Sequence, residues 1–187
     1  MEKSNLEKFY NQKITTVLFG ELKVSNKMEI PRLSKIVLNM GLGDAKDNKN
    51  SLQQAVEELT LITGQKPVIR KSKKAISNFK IRQNDPVGVS VTLRRKKMYE
   101  FLERFIAIVS PRIRDFRGFS QKGFDGMGNY NFGLNEQVVF PEINYDKVNA
   151  IRGMNLTFVT SAKDDMSAFK LLEAFGFPFR QPTNDQD

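Results

Sequence analysis

The chain of 187 residues contains no cysteine and no histidine. Without cysteine there is no disulfide and no thiolate metal site, which favours an intracellular setting. Without histidine the commonest general base, the usual zinc ligand and every histidine-containing triad are gone. No apolar run approaches the roughly 20 residues of a membrane-spanning helix. Met1 to Tyr10 mixes acids with bases and lacks the apolar centre of a signal peptide, so the chain is expected to stay in the cytoplasm. Serines are present, but no base accompanies them. The adjacent acids Glu57-Glu58 and Asp164-Asp165 fall in expected helices, where neighbours point about 100° apart, so neither forms a matched carboxylate dyad. Both pairs read as solvated helix faces. Neither an enzyme nor a cofactor is expected. A metal-dependent nuclease built on carboxylates is the remaining catalytic alternative.

Acids are also scarce where bases are dense. Between Lys66 and Lys97 stand eleven cations and one acid, Asp85, a local charge of +10 in a chain whose net charge is +9. The rest of the sequence is therefore nearly neutral. A solvated charged surface is the plain explanation for such a run. Here the cations alternate with turn residues instead of i,i+4 acids, and they bracket a strand with a polar face. A local field of this kind suits an anionic partner, nucleic acid before an acidic membrane surface. If about six to eight cations met phosphates, log K would fall with log salt at a slope near −5 to −7.

The periodicities predict an α+β fold. A helix is expected from Ser4 to Gly20, opened by a Ser4/Glu7 capping box. Leu33 to Met40 alternates as a strand, with Ile36, Leu38 and Met40 inward and Lys35, Val37 and Asn39 on the other face. Gly41 to Asp44 lacks the rest of a dinucleotide signature and reads as a turn. Ser51 to Ile62 is a helix with a Ser51/Gln54 box, stopped at Gly64. Pro67 to Lys71 is short and β-like, and Lys71 to Lys80 is a basic loop carrying Phe79. In Val87 to Leu93 the valines face inward, while Gly88, Ser90, Thr92 and then Arg94 face out. Two strands with the same split imply a mainly antiparallel sheet with helices on one face and an open concave face on the other. Lys97 to Val109 is helical and ends before Pro111. Gly118 to Gly133 reads as a long loop tacked down by aromatics, Val138 to Phe140 as a brief strand, and Met154 to Thr160 as the last strand. A helix opened by Ser161/Asp164 ends at Gly176, with Phe177-Pro178-Phe179 as its anchor. No repeat or linker divides the chain, so one domain over 1–180 with a flexible acidic tail over 181–187 is expected.

Several stretches carry a resemblance. Leu38-Asn39-Met40-Gly41, Gly64-Gln65-Lys66-Pro67, Phe79-Lys80-Ile81-Arg82-Gln83, Val91-Thr92-Leu93-Arg94, Pro111 to Gly118, Phe124-Asp125-Gly126, Phe140-Pro141-Glu142-Ile143 and Phe177-Pro178-Phe179 occur in this order. Together they closely resemble the family of ribosomal large-subunit protein five of the bacterial type, from about the first helix to Arg180. The resemblance implies a monomeric RNA-binding constituent of the ribosome that seats 5S rRNA in the central protuberance, with 23S rRNA close by. It implies 5S rRNA contacts at Asn39, Gln65, Phe79 and Thr92, with Lys35 and Arg94 beside them. It also implies a loop that reaches peptidyl-site tRNA, carrying Lys73, Lys74, Ser77, Asn78, Lys80 and Arg82. A bridge to a small-subunit head protein is implied for Arg112, Arg114, Asp115 and Arg117, with parts of Glu136 to Lys147. From the residues alone, Asp115 among three arginines reads equally as a local ion-pair cluster. A free-standing RNA-binding regulator would use the same sheet, but would not track with large subunits at one copy each.

The chain departs from the family pattern at several points. Arg95 follows Thr92-Leu93-Arg94 where relatives usually have glycine, making that corner more basic and less flexible. Asn78 and Asn84 stand where glycine is common, and asparagine tolerates left-handed geometry. Met127 replaces a frequent arginine and Asn135 a frequent basic residue.

Overall fold

In the computed structural model, which describes residues 4–45, 48–145 and 148–180, the alternating stretches are strands. In chain order the regular elements are α1 (Asn5–Phe9), a π-helical turn (Tyr10–Ile14), α2 (Thr15–Glu21), β1 (Leu33–Gly41), α3 (Lys49–Thr63), β2 (Val68–Lys71) and β3 (Pro86–Leu93). There follow α4 (Arg95–Arg104), a second π-helical turn (Phe105–Val109), β4 (Tyr130–Leu134), β5 (Met154–Thr160) and α5 (Asp165–Ala174). The sheet order is β2-β3-β1-β5-β4, with β1 and β2 each antiparallel to β3. This is the expected α+β class. The acidic tail and Lys147 lie outside the described residues.

Backbone contacts divide the described chain into two compact units. One comprises the residues up to Lys35, Arg94–Phe132 and those from Thr157; the other comprises Ile36–Leu93 and Gly133–Leu156.

Aromatic rings fill the first unit. Phe105 lies 5.7 Å from both Phe119 and Phe158 and 6.0 Å from both Phe101 and Phe177, measured between ring centroids. The Phe177-Pro178-Phe179 anchor is real: Phe177 is buried, and Phe179 lies 4.6 Å from Phe169 of α5. Phe119 joins the same segment through its N–H to Pro178 O (2.8 Å) and its carbonyl from Arg180 N (2.9 Å). A Cβ at Gly118 would fall 2.7 Å from Arg180 N, so glycine is required there. The long loop expected after Gly118 is shorter than its composition suggests, because Tyr130–Leu134 pairs as β4.

In the second unit α3 packs on β3, and Ile36, Leu38, Met40, Val89, Val91 and Leu93 form the buried layer. Gly88 sits where β1 and β3 approach closely: a Cβ there would meet Met40 O at 2.6 Å.

Helix ends differ from the sequence reading in instructive ways. Ser4 does cap α1, accepting from Glu7 N, but the helical run passes Gly20, and Lys23 takes the left-handed turn at φ +49°. Asn48, not Ser51, caps α3, because its carboxamide oxygen accepts from Asn50 N and Ser51 N. Gly64 ends that helix at φ +62°, as expected. Asp164, not Ser161, caps α5 by accepting from Ser167 N. Gln137–Val139 is a 3-10 turn instead of a strand.

In each acid pair one member, Glu57 or Asp164, is exposed as expected, and the other departs from a solvated face. Glu58 is buried and faces the buried Arg152, with Arg152 Nη1 3.5 Å from Glu58 Oε1. Arg152 Nη2 donates to Ser51 Oγ (3.1 Å), which donates to Asp44 Oδ2 (2.7 Å). Gln137 closes the cluster: its Nε2 donates to Ala150 O (2.7 Å), and its N–H donates to Arg152 O (3.1 Å). In the first unit Asp165 accepts from Gly126 N (3.0 Å) and Gly128 N (2.9 Å), fixing the glycine loop that follows Phe124.

Burial raises the Glu58 pKa, and the Arg152 charge and a Gln137 hydrogen bond only partly offset it. Arg152→Ala should therefore cost about 3–5 kcal/mol in a urea titration at neutral pH, because an unpaired carboxylate is left buried. With the arginine gone the Glu58 pKa rises further, and a raised pKa favours folding below the unfolded value. The deficit should shrink as pH falls and Glu58 is neutralised.

Candidate nucleic-acid interface

The register of β1 with β3 assembles the polar face of the second unit. Asn39 pairs with Ser90 and Val37 with Thr92, while Leu38 and Val91 point to the core. Asn39 is exposed and Thr92 half-buried. Gln65 reaches the same place by a different route. The left-handed Gly64 turns the chain off α3, Gln65 N donates to Thr63 Oγ1 (3.3 Å), and Gln65 Nε2 donates to Thr92 O (3.4 Å). Asn39 and Thr92 thus stand on one face of the antiparallel ladder, at diagonal positions, with Gln65 tied to the Thr92 carbonyl. Lys35 and Arg94, half-buried and exposed, belong to the first unit, as the residues that precede Ile36 and follow Leu93.

This face is not uniformly open. Ser90, expected outward, is only 6% exposed, because Arg70 of β2 lies over it with Nε donating to Ser90 Oγ at 2.7 Å. Arg70 itself is exposed. Sequence parity located Ser90 correctly but carried no signal for an arginine from the next strand.

The basic loop is a hairpin instead of an irregular segment. Ser72 N donates to Asp85 O (2.8 Å) and Asn84 N to Ser72 O (2.9 Å), closing the neck. Nearer the tip, Ile76 and Ile81 exchange bonds of 2.9 and 3.1 Å across a 3-10 turn, Ser77–Phe79. Asn84 is left-handed at φ +71°, the geometry its side chain tolerates, and Lys80 takes φ +53° at the turn's end. Lys73, Lys74, Ser77, Asn78, Lys80 and Arg82 are all exposed. Phe79 is 72% exposed. It lines an open cleft of about 430 Å³ with Gly41, Leu42, Gly43, Ile81 and Val87. A core phenylalanine is thereby excluded.

In the first unit Arg112, Arg114, Asp115 and Arg117 are all exposed. Among the described residues no ion pair joins Asp115 to these arginines, so the ion-pair cluster is not formed. Asp115 instead takes φ +53° at the turn, and Phe116 tethers the segment through Phe119, 4.8 Å between centroids. Met127, at the tip of the loop held by Asp165, is 74% exposed.

Such an arrangement defines a class: an α+β protein with a polar sheet face edged by cations and a basic hairpin beside it. Residues 26–82 match the family described as ribosomal protein L5, and residues 86–179 match the family that describes the C-terminus of the same ribosomal protein. The chain is 55% identical over 177 residues to the large ribosomal subunit protein uL5 of Dichelobacter nodosus, covering 95% of this chain and 99% of that one. It is 54% identical to the uL5 of Bordetella avium, with 95% and 99% covered, and 52% identical to that of Cupriavidus metallidurans, with 95% and 98% covered. The chain belongs to the ribosomal protein L5 family, whose members are structural and not enzymatic.

Arg95 is the departure with a measurable consequence. It opens α4 at φ +52°, a backbone conformation that costs a non-glycine residue about 1–2 kcal/mol. Glycine would remove that strain but lose about 0.5–1 kcal/mol to chain entropy. Arg95→Gly should raise unfolding free energy by up to about 1 kcal/mol in a denaturant titration, with the m-value unchanged.

Proposed function

We propose that this chain is the component of the large ribosomal subunit that holds 5S rRNA in the central protuberance, against 23S rRNA, in the cytoplasmic ribosome. The observation that carries this reading is the placement of Asn39 and Thr92 on one face of the β1–β3 ladder, with Gln65 hydrogen-bonded to the Thr92 carbonyl. Their amides and hydroxyl supply directional hydrogen bonds to sugars and base edges, while the surrounding cations neutralise phosphates. Phe79, exposed above a cleft, offers a ring for a base or sugar to pack on.

Two further contacts belong to the same reading. The hairpin over Ser72 to Arg82 carries its cations outward on a paired neck, a geometry suited to touching the backbone of peptidyl-site tRNA. The exposed Arg112, Arg114 and Arg117, with Asp115 unpaired among them, suit a protein of the small-subunit head that carries charges of both signs. The uL5 name of the relatives supports the subunit assignment; the RNA and protein partners rest on the residues and on the family resemblance.

Replacing both Asn39 and Thr92 by alanine should weaken binding of the purified protein to 5S rRNA. Each lost hydrogen bond in a desolvated interface is worth about 1–3 kcal/mol, so filter binding at fixed salt resolves the effect. Parental affinity in the double variant would remove these residues from the site.

A further inference from the structure

We infer that Arg70 is a pre-positioned phosphate fork, which grips the RNA backbone beside the Asn39–Thr92 face; the inference rests on the 5S rRNA reading above. Arg70 lies opposite Gly88 in the β2–β3 register, and Gly88 lies opposite Gly41 in the β1–β3 register. The adjoining row runs Val68, Ser90, Asn39. The strand rows therefore put a long cation next to two residues without side chains, with an exposed asparagine on the neighbouring row.

The hydrogen bond from Arg70 Nε to Ser90 Oγ, at 2.7 Å, fixes the plane of the guanidinium. Its partner hydroxyl is nearly buried, so the tie is sheltered from water, while the guanidinium itself is exposed. The two terminal amino groups, Nη1 and Nη2, have no acceptor among the described residues. Their parallel N–H bonds match two oxygens of one phosphodiester. An arginine held in this way loses less side-chain freedom on binding than one that is loose in solvent.

Gly41 supplies the room. Gly88 is itself buried, with Met40 O 2.6 Å from where its Cβ would stand, whereas Gly41 is exposed and nothing lies within 4 Å of a Cβ there. A ribose can lie against the bare backbone at Gly41 while its phosphate meets Arg70 and its 2′-hydroxyl or base edge approaches Asn39. A carboxylate on a protein would also fit the fork. RNA is favoured because the fork is continuous with the amide and hydroxyl face and carries the same sign of charge as the hairpin that follows β2.

The test is equilibrium binding of the full chain to 5S rRNA over a series of KCl concentrations, with thermal melting to verify folding. Arg70→Gln should weaken binding about tenfold at 0.15 M salt and flatten the slope of log K against log salt by about 0.7–0.9, the loss of one phosphate contact. Arg70→Lys should keep the slope but bind less tightly, because the charge remains and the fork does not. Ser90→Ala should keep the slope and lose about threefold in affinity, because only the tie is removed. Parental affinity and slope in Arg70→Gln would overturn the inference, as would weaker binding with an unchanged slope, which would mean a contact to a base and not to a phosphate. Parental affinity in Ser90→Ala would overturn the pre-positioning. If Asn39→Ala weakens binding and Arg70→Gln does not, the fork fails and the 5S rRNA reading stands; if the parent protein binds no 5S rRNA, both fail.

Discussion

The pairing of β1 with β3 is the constraint on which the rest depends. Six residues of each strand face one another, from Ile36 opposite Leu93 to Gly41 opposite Gly88. This register sends Ile36, Leu38, Met40, Val89, Val91 and Leu93 into one buried layer. A slip of one residue would turn that layer outward and bury Asn39 and Thr92, so the same hydrogen-bond ladder specifies stability and the proposed binding face. Gly88 protects the ladder, because any side chain there would strike the Met40 carbonyl.

In the proposed function, charge and specificity fall to different parts of the chain. The eleven cations between Lys66 and Lys97 give the field, yet the directional groups are an asparagine, a glutamine and a threonine with no charge. Long-range attraction needs only density of charge, whereas recognition needs donors and acceptors held in place. Buried polar chemistry serves neither purpose. The Glu58–Arg152 pair ties the chain around Gln137 and Arg152 to α3, and it does so imperfectly, since Glu58 Oε2 is buried without a hydrogen bond. Burying two charges in this way brings little net stability but makes the loss of either partner severe.

Most of the strands were legible because a period of two is hard to mistake, and β1, β3 and β5 fall within a residue of the expected bounds. The polar face of β1 and β3 followed from the same parity. Helix caps were less legible, since Asn48, Ser51 and several other short polar residues compete near the start of α3 and only backbone geometry chooses among them. Tyr130–Leu134 was hidden by the glycines around it, and Val138–Phe140 looked like a strand because a three-residue apolar run has no period to read. Glu58 left a signal: it stands three residues after Ala55 and four before Ile62, on the buried stripe of α3, so its burial could have been expected from spacing. Arg70 over Ser90 and Asp165 beneath Gly126 and Gly128 left none. Those contacts join residues 20 or more positions apart in sequence and arise only when the strands and loops are assembled.

The central claim is that the face of β1 and β3 carrying Asn39 and Thr92 is where RNA lies. Ultraviolet cross-linking of the purified protein to 5S rRNA, with the joined peptides mapped by mass spectrometry, tests it most directly. The account predicts cross-links in β1, β3, the Gln65 turn and the hairpin from Ser72 to Arg82. Cross-links confined to the exposed side of α3 or to Arg112–Arg117, with none on the two strands, would contradict it.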